Sequence, residues 1–326
     1  MKQVVLSIFF FLPLSVCLAM DFQPPGPAER LRAIGPTRGL PEALRLALDA
    51  GPDFEPIPAP RPGDWLAVHP EPGQTFEDFV RSRPNRPDGT RRKIYLQPLG
   101  EFPKDQSPAL EILKEYAASY FVTETEVFPS LAIDPLKFTT RSNPYTRNRQ
   151  VLTTDVLTFL RKRLPADAFC LLAITMEDLY PEPSWNFVFG QASLRERVGV
   201  FSFARYDPGF YREERGKNYS ETLLRRSCKV LAHETAHMFS LVHCIFFRCV
   251  LNGSNHLQES DSRPLSLCPV CLRKLQFSIG FDVVARYRQL FDFYHKVAFE
   301  PEARWVVTRL ARIAGHEGVP SGGRKK

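Results

Sequence analysis

From Lys93 onward the apolar residues fall into short, well-separated runs. KIYLQPLG (93–100), EVFPSLAI (126–133), AFCLLAITM (168–176), WNFVFGQAS (185–193) and GVFSFARY (199–206) are rich in β-branched and aromatic residues, and they predict five strands. Between the early runs the apolar spacing changes to threes and fours, predicting helices over 108–121 and 151–164. Two strand–helix–strand units followed by strands without helices predict an α/β (α+β) fold whose mixed five-stranded sheet has an antiparallel edge. Residues 225–239 predict one further helix, and helical patterns return at 279–294 and 304–313. The cysteine-rich stretch between them reads as loop. The chain shows no internal repeat.

Before Lys93 the periodicity fails. Residues 21–92 hold 14 of the 29 prolines, with a single short helical patch, PEALRLALDA (41–50). Such a composition predicts an extended, partly ordered arm over 20–92. A secreted protease could use an arm of this kind as a pro-segment, although no cysteine lies between Asp21 and Phe169 to serve as a latency switch. The main domain is expected over 93–295, with a C-terminal helix and basic tail over 296–326.

The first twenty residues, MKQVVLSIFFFLPLSVCLAM, pair one lysine with an apolar run and small residues at Cys17 and Ala19. That is a signal-peptide pattern, cut after residue 19, and it predicts secretion; a cytoplasmic location is the alternative. Export would make Asn218-Tyr-Ser and Asn252-Gly-Ser glycosylation sequences, with Asn218 the one expected to be used. No other stretch is long and apolar enough to span a membrane. Composition is that of an ordinary globular protein, 44% hydrophobic and 24% charged over 326 residues. The net charge of +7 is scattered, without the basic-aromatic stripe that nucleic acid requires, so no nucleic-acid partner is expected. A monomer is expected.

HETAHMFSLVHC (233–244) carries the chemistry. On a helix, His233 and His237 lie one turn apart on one face and can point at one ion. Glu234 stands beside the first of them, where it could take a proton from a water molecule acidified by zinc. A continuous helix would aim His243 elsewhere, roughly 240° further round. The helix must therefore end near Ser240 for His243 to return as third ligand. If it does not end there, Glu259 is the substitute. A helix carrying only capping or surface histidines is the bland alternative.

Cys244-x4-Cys249 and Cys268-Pro-Val-Cys271 form a second constellation. Four thiolates suit a tetrahedral structural zinc. Two disulfides are the alternative in an exported chain, and a redox C-x-x-C is disfavoured because the motif follows a long loop. Cys170 and Cys228 read as core residues, and His69, His256, His295 and His316 as surface or packing residues.

The stretch from His233 to Cys271 closely resembles the archaemetzincins, metalloproteases of the metzincin group with a second, four-cysteine zinc. The resemblance extends over Asp64 to Tyr287, including SWNFVFGQASL (184–194), VGVFSFARYDPGFY (198–211) and RPLSLCPVCLRKLQ (263–276). It implies a metzincin-like domain with an active-site helix and a zinc-bound, cysteine-rich C-terminal subdomain. It also implies a catalytic zinc on His233, His237 and His243, with Glu234 as general base for hydrolysis of peptide or protein substrates. A structural zinc would sit on Cys244, Cys249, Cys268 and Cys271, making two Zn2+ per chain, and the strand near Asn186–Ser193 would edge the cleft. The alternative is a weak or inactive zinc-stabilised peptide-binding protein. Two positions depart from the pattern. Ser240 stands where metzincins have the glycine of the helix-ending turn, and Leu251 stands where they have methionine. A left-handed serine costs about 1–2 kcal/mol, so Ser240→Gly is expected to stabilise and to tighten zinc.

Overall fold

The computed structural model describes residues 22–315, so residues 1–19 and the basic C-terminal run lie outside it. Among the described residues eight strands form in chain order: β1 (Lys93–Leu99), β2 (Thr125–Val127), β3 (Thr140–Ser142), β4 (Arg149–Leu152), β5 (Ala168–Thr175), β6 (Asp178–Tyr180), β7 (Gly190–Ala192) and β8 (Val198–Ser202). The main sheet has the order β2-β1-β5-β8-β7; its pairs are parallel except β7 against β8, which makes an antiparallel edge. The fold is therefore α/β with a mixed sheet, as the pattern predicts.

β5 is buried at all eight positions, as a central strand covered on both faces must be. Its alternation separates two cores. Cys170, Leu172 and Ile174 join Ile94, Leu96 and Phe201 on one face, while Leu171 and Ala173 join Tyr95, Val198 and Val200 on the other.

The helices before β1 are α1 (Pro27–Ile34), α2 (Glu42–Ala47), α3 (Trp65–Val68) and α4 (Phe76–Arg81). α5 (Leu110–Phe121) and α6 (Thr153–Arg163) are the crossover helices, followed by the long α7 (Tyr219–Met238). Then come α8 (Leu257–Asp261), α9 (Pro269–Ile279), α10 (Val283–Lys296) and α11 (Glu300–Gly315). No helix among the described residues is long and apolar enough to cross a membrane.

Several elements differ from expectation. EVFPSLAI contributes only Glu126 and Val127 to strand β2, because Pro129 has no N–H for the ladder; Leu131 then bridges to Leu99. WNFVFGQAS divides its pairing, Val188 bridging to Leu179 and Gly190–Ala192 pairing with β8. The run at 151–164 begins as strand β4 and turns helical only at Thr153. With β3 and β6 it makes a small second sheet. Cys268 N-caps α9, with Pro269 in the first turn, so C-P-V-C opens a helix where loop was expected.

The largest difference lies in residues 22–92. Proline density predicts an extended arm, yet Ala33, Leu44, Phe54, Ile57, Leu66 and Phe79 are buried in the same core as the sheet. Prolines restrict the chain between short helices without preventing it from packing. Asp53 anchors the C-terminal end as well: its carboxylate accepts from the fully buried Arg309 of α11 at 2.6 Å.

Candidate active site

α7 carries His233, Glu234 and His237 on its C-terminal half. The chain leaves it through a Schellman turn, with Ser240 N–H donating to His237 O at 2.8 Å and Leu241 N–H to Ala236 O at 3.3 Å. Ser240 occupies the left-handed position of that turn, at φ 68°. Two hydrogen bonds help to hold it there. Its hydroxyl donates to Leu194 O at 2.8 Å and accepts from Asn85 N–H at 3.0 Å. The turn also delivers Leu241 O to within 2.6 Å of His237 Nδ1.

The turn brings His243 back to the other two histidines. One nitrogen from each of the three rings falls in a group within 4.8 Å of one another. His233 Nδ1 lies 2.8 Å from Val250 O and His237 Nδ1 is matched to Leu241 O, so both rings donate from Nδ1 and keep the Nε2 lone pair. Those two Nε2 atoms face each other at 3.0 Å. Two acceptors aimed together repel unless a cation lies between them, so the donor set fits a metal ion. Burial, with its two imidazole neighbours, holds His233 well below the usual histidine range, and burial brings His237 down to about 3. Neutral imidazole is the ligating form.

His243 is held from an unexpected quarter. Its Nδ1 lies 2.8 Å from Glu71 Oε1, which also accepts the Trp65 indole N–H at 2.8 Å. Burial raises the Glu71 pKa, but the hydrogen bond and charge of His243 and the Trp65 bond bring it below the ordinary value. Glu259 is not the third partner of His233 and His237. Its carboxylate accepts from Trp65 N–H at 3.0 Å, Asn255 N–H at 2.8 Å and Arg263 at 3.0 Å. It belongs instead with His256 and Asp64, where His256 bonds Asp64 at 3.1 Å and accepts from Glu259 N–H. This second trio ties α8 to the N-terminal segment.

Glu234 is buried beneath β7, and burial alone pushes its carboxyl up to about 8. Gly190 makes that approach feasible. A Cβ at that position would lie 2.5 Å from Glu234 Oε1 and 2.8 Å from its Cγ. Above the histidines opens a cavity of about 980 Å³, walled by residues 186–192 on one side and by Val250, Asn252 and Asn255 on the other. Trp185 at its rim stacks on His69 with ring centroids 5.3 Å apart, and Trp65 packs edge-on to His243 at 5.0 Å.

The second constellation also assembles. The sulfurs of Cys244, Cys249, Cys268 and Cys271 lie within 4.8 Å of one another, all buried, and no disulfide joins them. Cys244 and Cys268 are 3.5 Å apart, far beyond an S–S bond and close to the roughly 3.8 Å edge of a zinc tetrahedron with 2.3 Å bonds. Cys170 and Cys228 are buried core residues. Leu251 is fully buried directly after Val250, the residue whose carbonyl holds His233.

Sequence reasoning missed Glu71, Trp65 and Gly190, and read His69 only as a surface or packing residue, a role its stack on Trp185 fits. Glu71 and His69 lie in a proline-flanked stretch, HPEPG (69–73), with no periodicity to mark it. Gly190 stands inside a predicted strand, and an isolated strand glycine is a known sign of close approach.

The profile of peptidase family M54 matches residues 148–277. Archaemetzincin-2 of Macaca fascicularis is 42% identical, over 80% of this chain and 79% of that protein. Human archaemetzincin-2 is 41% identical over the same shares. Among solved structures, archaemetzincin from Methanopyrus kandleri is 30% identical with a TM-score of 0.45, over 59% of this chain and 97% of that one. Together with this fold and site, the relatives place the protein among the zinc metallopeptidases. The chain belongs to the archaemetzincin family.

Proposed function

We propose that the protein hydrolyses peptide bonds in the cleft between β7 and α7. His233, His237 and His243 would hold a catalytic zinc, Glu234 would act as general base, and the four cysteines would hold a second, structural zinc. The observation that carries this is the opposed pair of Nε2 lone pairs at 3.0 Å, beside a carboxylate roofed by a glycine. When bound, zinc supplies Lewis acidity toward the scissile carbonyl and the positive charge that returns Glu234 to its ionised form.

The remaining work falls to the protein's own side chains. β7 is an edge strand, so an extended substrate can pair along its outer side. Glu234 takes a proton from the attacking water and later gives one to the leaving amine. The Nδ1 bonds to Val250, Leu241 and Glu71 fix each imidazole in one orientation. Export, which residues 1–19 suggest, would leave the exposed Asn218 as the glycosylated position. Asn252 is 3% exposed, and its amide is engaged by Cys244 O and Phe247 O.

Glu234→Gln tests the mechanism. Peptidase activity should fall by orders of magnitude with zinc content unchanged, because the base does not bind metal. Elemental analysis should give two zinc ions per chain in both proteins. Equal turnover by the two would leave a zinc-stabilised peptide-binding protein in place of an enzyme.

A further inference from the structure

Lys229 lies on α7 one turn before His233 and lines the same cavity as the histidines and Glu234. It is 5% exposed. Among the described residues its ammonium has one hydrogen-bond partner, Ser260 O at 2.6 Å, and no carboxylate in contact. The nearby acids are engaged elsewhere: Asp261 with Arg226 at 2.7 Å, and Glu302 with Arg225 at 2.8 Å. An ammonium has three N–H donors, so two remain unspent. Arg263 also lines the cavity; its side chain is 8% exposed, one guanidinium nitrogen donates to Glu259 at 3.0 Å, and its Nε has no partner. The other charged residues of the cavity wall are Glu182 and Glu234.

Holding one carbonyl does not require a buried ammonium, since a charge taken out of water costs several kcal/mol unless it is compensated. The spare donors call for an anion. A peptide in this cleft brings carboxylates, either on acidic side chains or at its terminus. Lys229 sits about 6 Å along the helix from His233, four residues at 1.5 Å each. That is close to the reach of one glutamate side chain from a backbone lying over the histidines.

We propose that Lys229, backed by Arg263, forms a subsite for a substrate carboxylate on the residue next to the scissile bond, on the His233 side. The subsite makes the enzyme selective for acidic peptides. It rests on the cleft being the peptide-binding site, as proposed above. The depression of the Lys229 pKa to about 8, caused by burial, fits an ammonium awaiting a partner.

The test uses zinc-loaded, full-length protein and a series of internally quenched peptides. Glu, Gln or Lys is placed in turn at each position flanking the bond, and a parallel set ends there in a free carboxylate or an amide. At one position Glu should exceed Gln in kcat/KM by roughly 10- to 100-fold, the strength of a charged hydrogen bond. A free terminus outdoing internal Glu assigns the subsite to chain ends. Internal Glu outdoing it assigns the subsite to side chains. Lys229→Met should abolish the Glu-over-Gln ratio whatever its overall rate, and Lys229→Arg should retain it. Equal rates for Glu and Gln at every position, together with equal rates for free and amidated termini, overturn the proposal without need of a variant, as does a preference that survives in Lys229→Met. Should no peptide be cleaved, the peptidase proposal fails. Fluorescence-anisotropy binding of the acidic and amide peptides, to wild type and Lys229→Met, then decides the subsite separately.

Discussion

Glu71 Oε1 and His243 Nδ1 lie 2.8 Å apart although 172 residues separate them in sequence. The N-terminal segment is therefore part of the candidate metal site. Glu71→Gln keeps an acceptor but loses the charge, and zinc affinity should fall roughly tenfold; Glu71→Ala should cost nearer a hundredfold. A zinc competition titration reads both. Proteolytic removal of the residues before Lys93 should lower affinity and activity together, whereas a pro-segment would raise activity on removal.

Gly190→Ala places a methyl 2.5 Å from Glu234 Oε1. The carboxylate must shift, and a displacement of about 1 Å at a catalytic group can cost on the order of 100-fold in rate. Bound zinc should stay near wild type, because the three atoms nearest the added methyl all belong to Glu234. Activity and elemental analysis on the same preparation check it; unchanged kcat would count against Glu234 as base.

Ser240→Gly should not stabilise, contrary to what the sequence suggests. Glycine removes about 1 kcal/mol of left-handed strain. It also deletes the hydroxyl bonds to Leu194 O and Asn85 N–H, each worth about 1 kcal/mol, and it frees the unfolded chain. Ser240→Ala keeps the strain and loses the same bonds. Thermal melts should rank wild type above Gly and Gly above Ala, with the glycine variant about 1 kcal/mol below wild type. A glycine variant that melts higher would show that strain dominates.

Lys229→Met should raise the melting point at pH 7. Burial lowers the Lys229 pKa from 10.5 to about 8, with Asp261 and Glu302 partly offsetting it. Between those values the unfolded chain binds the proton more readily than the folded one, so stability rises with pH across that window. Below pH 8 the full cost stands, about 3 kcal/mol before the Ser260 bond is counted. The gain from methionine should shrink as pH climbs from 8 towards 10.5. Melts at pH 7 and pH 10 compare the two proteins, and a variant equally destabilised at both would mark Lys229 as a structural strut.

Local chemistry was legible in the sequence. β-branched runs gave β1, β5 and β8, the H-E-x-x-H spacing gave one helical face, and the need for His243 to return required a break at Ser240, which the φ of 68° supplies. These follow from short-range geometry, in which spacing along the chain fixes direction in space. Other features were hidden because they depend on partners far along the chain. Phe54 and Ile57 of the proline-dense segment pack into the core of the sheet, and Glu71 meets His243 across 172 residues.

By itself the sequence determined the strands of the main sheet and marked His233, Glu234, His237, His243 and the four cysteines as the candidate site, since each is written in residues a turn or a strand apart. Only the tertiary structure decided which carboxylate holds His243, which glycine admits Glu234, and that Ser240 is braced by two hydrogen bonds. It also decided that Lys229 keeps spare donors inside the cleft. Those contacts join segments tens to hundreds of residues apart, and their register is set by how α3, α7 and β7 pack, not by any spacing in the chain.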